Sequence, residues 1–389
     1  MRTARNLAVI ATLIFAAQFP AACVFAETTR GPKPQTVADK YVLRPAGVSA
    51  ATWVGGLEAP WSLVFLPDGR ALVSERPGRI RMIRNGKLLA ASVAEVKSAL
   101  GGEGGLMGLA VHPQFPKKSF FYAMHTYRGS SGRANRVIRL RLTGEKAVFD
   151  RVILDNIPGA RNHNGGRIAF GPDGLLYIGT GERFEREIAQ DPKSLGGKIL
   201  RVTADGAIPP GNPFAGSPVY SLGHRNIQGL AWHPSTKELF ISEHGPSGEV
   251  GVGAHDEVNV IRAGGNYGWP RAIGAPSLKG YIDPIVAWPE TSTPPSGATF
   301  WRGDLYIATL RSRALIRIRL DRSEGKWRAT AIERWFVDGR GEAVYGRLRD
   351  AVVGPDGALY VLTNNRDGRG NPRRGDDRIL RITANTKPR

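Results

Sequence analysis

Six times along this chain an apolar run reaches a turn rich in Pro, Asp and Gly, then doubles back into a second apolar run. The segments are VFLPDGRALVSE from Val64, AVHPQFPKKSFFYAM from Ala110, AFGPDGLLYIGTGE from Ala169, AWHPSTKELFISEHG from Ala231, ATFWRGDLYIATL from Ala298 and VVGPDGALYVLTNN from Val352. Alternating apolar residues on both sides of such a turn are the mark of a β-hairpin. Units that recur every 45–70 residues or so cannot each bury their own apolar face, so they pack radially against one another. The sequence therefore predicts an all-β fold, a six-bladed β-propeller, with the blades over residues 51–385. In that fold, equivalent positions of every blade fall around one central channel.

Composition agrees. Of 389 residues, 49 are Gly and 27 Pro, and the glycines sit in turn dipeptides rather than in a low-complexity tract. The best candidate for a helix is SVAEVKSAL, Ser92–Leu100. Residues 1–26 read as a cleaved secretory signal: Arg2 and Arg5, then an apolar stretch from Leu7 to Phe19, then Val24-Phe25-Ala26 at the cleavage positions. The run is too short to span a bilayer and no later segment is longer, so no transmembrane anchor is expected. Cys23, the only cysteine, offers lipidation as a competing reading, although Pro20-Ala21-Ala22 before it matches poorly. Residues 27–50 read as an N-terminal extension. The remaining chain allots about 60 residues to each blade, enough for four short strands and their loops. A periplasmic location follows, with stability supplied by sheet packing rather than disulfides.

The formal net charge is +20. An exported propeller with no compact Lys/Arg run is a poor nucleic-acid binder, so the excess points to anionic surfaces or to an anionic ligand. The turn prolines serve as a ruler for where the charges fall. Glu103 lies 10 residues before Pro113, His163 9 before Pro172, Arg225 9 before Pro234 and Arg347 8 before Pro355. All four precede the first strand of a hairpin, in Gly-rich segments. The second strand returns to the same end, where its exits carry Glu75-Arg76, Gly181-Glu182, Glu243-His244-Gly245-Pro246, Leu310-Arg311 and Asn364-Asn365. Taken singly, each of these reads as a loop salt bridge or a solvated side chain. Together they predict one channel mouth lined with Arg, His, Glu and Asn. His112 and His233 precede turn prolines and read as structural. Metalloprotease, serine-hydrolase, phosphate-loop and dithiol spacings are absent.

The combination of RNHNGGR, GHRNIQGLAWHP, SEHGP, DEVNVIRAGGNYGWP and GRLRDAVVGPDGALYVLT resembles the soluble pyrroloquinoline-quinone (PQQ) dependent sugar dehydrogenases, from about Trp53 to Thr383. The resemblance implies a six-bladed propeller that oxidises an aldose sugar at C1 to a lactone. It implies PQQ and Ca²⁺ as cofactors and a periplasmic quinone or cytochrome as electron acceptor. By the same resemblance His163 is the general base, and Arg225 and Asn226 contact the quinone. Arg347 and Arg349 grip the cofactor carboxylates, and strand alternation sets both on one face with Leu348 on the other. Gln228 belongs to the sugar surround, and the carbonyls of Gly245 and Pro246 hold the catalytic ion. Three features depart from the pattern. Arg311 replaces a cofactor-binding Lys. Glu103 and Asn162 replace Gln and Asp beside the sugar. A second ion site would use Glu257 and Tyr267, but Ser277 stands where its next carboxylate belongs. The aromatics Tyr267, Trp269 and Trp288 read as packing. Two other classes stay open from the residues alone: a Ca²⁺-dependent lactone hydrolase, which would need side-chain carboxylates and Asn around the ion, and a non-catalytic propeller that binds an anionic glycan.

Overall fold

Each of the six repeats folds as the innermost hairpin of one blade. The computed structural model describes residues 27–385, so the signal segment and Cys23 lie outside the described residues. The first strands of the hairpins are Pro60–Phe65, Leu106–Val111, Gly165–Phe170, Ile227–Trp232, Pro295–Trp301 and Leu348–Val353. Each packs on the next, and the last packs on the first, closing a ring of six sheets about the channel. The protein is a six-bladed β-propeller.

The turns follow from their residues. Gly69, Gly174 and Gly357 adopt φ values of +84°, +75° and +74°, a left-handed conformation that costs glycine nothing. In blades 3 and 6 the turn Asp is also held by the second strand: the Tyr177 hydroxyl donates to Asp173 (2.9 Å) and the Tyr360 hydroxyl to Asp356 (3.0 Å). His112 and His233 do the equivalent work in blades 2 and 4, where their Nδ1 atoms accept the backbone N–H of Gln114 (3.0 Å) and Thr236 (3.2 Å). The core lies between blades. Met107 and Tyr122 of blade 2, for example, meet Ile168, Leu176, Ile178 and Leu200 of blade 3.

The ring is closed by the N-terminal segment. Val48–Val54 pairs antiparallel with Ile379–Ala384 as the outer strand of blade 6, and Asp39–Val42 adds a parallel fifth strand to blade 5. Residues of the expected extension are thus woven into the propeller. The expected helix over Ser92–Leu100 is absent: Ala94–Glu95 pairs with Arg79–Ile80 at the edge of blade 1. The segment's Val93 and Val96 are buried against that blade's core, so tertiary packing overrides a weak local preference. Among the described residues the one helix is a single 3₁₀ turn, Arg186–Ala189, and no helix is long and apolar enough to cross a membrane.

Candidate active site

The aligned residues that precede the first strands do converge. Glu103, His163, Arg225 and Arg347, from four successive or near-successive blades, line one cavity of about 370 Å³ together with His244, Gly245, Pro246, Arg311 and Arg369. The cavity opens at the channel end where the first strands begin.

His163 is placed by a strained turn. Its φ is +54°, unusual for a residue with a side chain and characteristic of functional positions. The glycines that follow are required. A Cβ on Gly165, itself at φ +65°, would lie 2.4 Å from the Gly179 carbonyl oxygen. The ring is then held on three sides. Nδ1 bonds the buried Glu182 carboxylate, Nε2 meets Nη2 of Arg225 at 3.0 Å, and Phe184 packs on the ring with centroids 3.8 Å apart. A carboxylate at Nδ1 selects the tautomer whose Nε2 carries the lone pair, here facing the Arg225 guanidinium at the cavity wall.

The other hairpins show what this arrangement departs from. Elsewhere the strand exit clips the backbone that leads into the first strand: Glu75 accepts the Glu58 N–H (2.8 Å), Glu243 that of Arg225 (2.8 Å) and Asn365 that of Arg347 (2.8 Å). In blade 3 the exit residue Glu182 turns to the imidazole instead. The His163 N–H is taken by Glu103 of the neighbouring blade, at 3.0 Å. Glu243 of blade 4 does both, clipping the Arg225 N–H and bonding Nδ1 of His224 at 2.9 Å, but that imidazole is buried outside the cavity lining.

Charge is arranged around it. Arg225 is fixed by Glu249 (2.6 Å) and lies over the Trp269 ring. Arg347 pairs with Asp367 at 2.7 Å, and Arg349 reaches the same carboxylate at 4.0 Å, so the two guanidiniums do share a face. Burial would raise the Glu103 carboxyl, but His244, His163 and Arg369 hold it down at about 2. Burial draws the Arg349 guanidinium down to about 9 despite Asp367, and His244 to about 3 against the pull of Glu103. Asp256, which accepts the Gly245 N–H, is raised by burial to about 6.

Not every expected residue lines the cavity. Asn226, Gln228 and Arg349 form a buried layer beside and beneath it, where Gln228 bonds Asn226 (3.2 Å) and Arg349 (3.2 Å). Asn162 sits at the rim, accepting from Arg369 at 2.9 Å. Glu257 and Tyr267 lie in a separate small hollow that also touches Gly245 and Pro246. There burial, then the charge of Glu243, pushes the Glu257 carboxyl well up. Ser277 is away from this hollow and bonds Asp283. Tyr267 stacks on His224 and is buried, as are Trp269 and Trp288.

Four contributors were not singled out from sequence as partners: Glu182 for His163, Glu249 for Arg225, Asp367 for Arg347, and Arg369. The position of Glu182 at a strand exit was visible, but its pairing across the hairpin was not. The other three lie in irregular loops that share no repeat.

The chemical inventory is a cationic pocket with two imidazoles, of which only His163 is paired with a carboxylate. The buried layer beneath it also leaves a donor, Arg349 Nε, without a hydrogen-bond partner among the described residues. Such a donor set fits a multiply anionic ligand. No three His, Cys, Asp or Glu side chains cluster as metal ligands among the described residues, so a hard cation here would rely on carbonyl oxygens such as those of Gly245 and Pro246.

Comparison with known proteins agrees. The aldose sugar dehydrogenase YliI of Escherichia coli K12 is 33% identical over 357 residues, covering 83% of this chain and 92% of that protein. Quinoprotein glucose dehydrogenase B of Acinetobacter calcoaceticus is 27% identical over 439 residues, with 85% and 88% covered. The PQQ-bound aldose sugar dehydrogenase of Streptomyces coelicolor superposes with a TM-score of 0.76 at 41% identity, covering 87% of this chain and 98% of that one. The family model for glucose/sorbosone dehydrogenases matches residues 57–380. With this match and these similarities, the chain belongs to the glucose/sorbosone dehydrogenase family.

Proposed function

We propose that the protein is a periplasmic, PQQ- and Ca²⁺-dependent dehydrogenase that oxidises aldoses at C1 to lactones. The observation that carries this reading is the His163–Glu182 pair facing a cavity walled by Arg225, Arg311 and Arg347. Arg347 would take a cofactor carboxylate as a forked donor, with Arg349 adding positive charge from the buried layer. Arg225 and Arg311 would take remaining oxygens, with Asn226 behind them, and the carbonyls of Gly245 and Pro246 the ion. When bound, PQQ supplies a two-electron acceptor and Ca²⁺ a Lewis acid.

The chain's own residues do the rest. His163 Nε2 receives the proton of the anomeric hydroxyl, and Glu182 stabilises the imidazolium that forms while fixing the ring. Arg225 Nη2, 3.0 Å from the same nitrogen, yields that contact to the sugar hydroxyl and offers positive charge where negative charge develops. Glu103 stays ionised at neutral pH, held near 2 by its neighbours, so it only accepts hydrogen bonds from the sugar. A periplasmic quinone or cytochrome would take the electrons onward, after export directed by residues 1–26.

A lactone hydrolase would require carboxylates and Asn around its ion. Glu243, Glu257 and Asn259 do meet, with Asn259 donating to both carboxylates at 3.0 and 3.3 Å, but they lie behind the cavity that His163 and the arginines line. The test is reconstitution of purified protein with PQQ and Ca²⁺, followed by dye-coupled assay with several aldoses. Sugar-dependent dye reduction that needs both additions is expected. Lactone hydrolysis without PQQ, or no PQQ binding, would overturn the reading.

A further inference from the structure

A second hollow of about 250 Å³ adjoins the main cavity and shares Leu310, Arg311, Arg347 and Arg369 with it. Its outer wall adds Arg313, Asn371 and Arg373, and no Asp or Glu lines it. Two of its five arginines are neutralised: Arg347 by Asp367 at 2.7 Å and Arg369 by Glu103 at 3.0 Å. Among the described residues the guanidiniums of the other three make no ion pair, although the Arg373 backbone N–H donates to the Asp376 carboxylate at 2.9 Å. Arg313 Nη2 donates to the Gly341 carbonyl (2.6 Å) and Arg373 to the carbonyls of Ala343 and Val344 (3.4 Å each). Arg311 is exposed and makes no hydrogen bond or ion pair among the described residues.

Carbonyl partners fix a guanidinium without cancelling its charge. Three uncompensated cations therefore face one concave space, where like charges repel and the local potential favours an anion. The cofactor assignment above uses Arg311, Arg347 and Arg349, and leaves Arg313 and Arg373 without a task. Arg369 stands at the boundary between the two hollows, braced by Glu103 and by Asn162 at 2.9 Å, two residues at the sugar side. A ligand in the main cavity can thus extend past Arg369 into the cationic annex.

We propose that this annex is an oxyanion subsite, and that the preferred substrates are acidic saccharides whose carboxylate or phosphate is seated by Arg313 and Arg373. The inference deepens the sugar-dehydrogenase reading and rests on it. Holoenzyme reconstituted with PQQ and Ca²⁺ would be assayed with glucose, glucuronate and glucose 6-phosphate, at low and high salt. Wild type would be compared with Arg313→Gln and Arg373→Gln, each checked for unchanged thermal unfolding.

At least one acidic sugar should show a higher kcat/KM than glucose, and which one wins separates carboxylate from phosphate recognition. That preference should fall roughly three- to tenfold in each variant and fade with salt. Calorimetric titration of glucuronate into PQQ-loaded protein should show the same loss, a readout independent of turnover. Oxidation of glucose with no preference for either acid would overturn the subsite and leave the dehydrogenase reading standing. So would variants that weaken PQQ affinity, or the response to electron acceptor, while the acid-to-neutral ratio holds. Failure to oxidise any sugar by PQQ-loaded protein that still binds glucuronate through these arginines would keep the subsite and remove the enzyme reading instead.

Discussion

The two ends of the channel are built from the same six strands and could hardly differ more. Where the strands begin, the cavity is lined by Arg, His and Glu. Where they reach their turns, a hollow of about 400 Å³ is lined by Val64, Phe170, Trp232, Phe300 and Val352 among others. Between the two lies a buried polar belt. Arg167 pairs with Asp350 at 2.9 Å and donates to the Gln228 carbonyl, also at 2.9 Å, with Trp61 against its guanidinium. The turn end keeps the repeat and therefore keeps the fold, since its apolar residues pack into neighbouring blades. The opposite end breaks the repeat, placing Glu, His, Arg and Arg at equivalent positions of four blades, and there the chemistry becomes possible. The comparison says that substitutions at one end should cost turnover, and at the other end stability.

The largest effect should come from His163→Ala, which removes the base. We expect kcat to fall by about 10²–10⁴-fold with PQQ affinity within twofold or so of wild type, measured by steady-state dye reduction and absorbance titration. Glu182→Gln retains an acceptor for the ring but loses the charge that stabilises the imidazolium, so kcat should drop by roughly 10–100-fold with little change in KM. Arg347→Ala should act on a different quantity. It strands the buried Asp367 and removes a charged fork, weakening PQQ binding by at least about tenfold, while turnover at saturating PQQ is less affected.

At the apolar end the expectation inverts. Phe300 packs edge-on to Phe240, with centroids 5.1 Å apart, and on His233. Phe300→Ala should lower stability by about 2 kcal/mol, less than a fully buried ring costs, and leave kcat unchanged. A loss of kcat there with unaltered unfolding would break the comparison.

How much of this was legible in the sequence divides along the same line. The hairpins were readable because Gly69, Gly174 and Gly357 need their left-handed turns and the flanking apolar residues alternate. The ring of Glu103, His163, Arg225 and Arg347 was readable because the turn prolines index every blade alike. Val48–Val54 closing blade 6 was not, because a strand that pairs with residues more than 300 positions away carries no local signal of its partner. Glu182 was visible at a strand exit, but its swing from backbone clip to imidazole depends on Glu103 taking the freed N–H across a blade boundary. Arg369, Asp367 and Glu249 sit in loops without a repeat, so no ruler reached them.

The smallest effect expected is on pH stability. The Glu103 carboxyl lies below its ordinary value, held at about 2 against burial by His244, His163 and Arg369. A carboxylate depressed in the folded state stabilises above its unfolded value, and that stabilisation is lost as pH falls from about 4.5 towards 2. Unfolding midpoints of wild type should therefore drop over that interval more steeply than those of Glu103→Gln, a variant that leaves the apolar end untouched.

The most direct test of the polar end as a catalytic site is rapid mixing of an aldose with PQQ- and Ca²⁺-loaded protein, wild type beside His163→Ala, following the cofactor's absorbance through one turnover. The account predicts that both proteins hold the cofactor, and that the sugar reduces it quickly in wild type and at least about a hundredfold more slowly in the variant. Reduction at equal rates in the two proteins would contradict it.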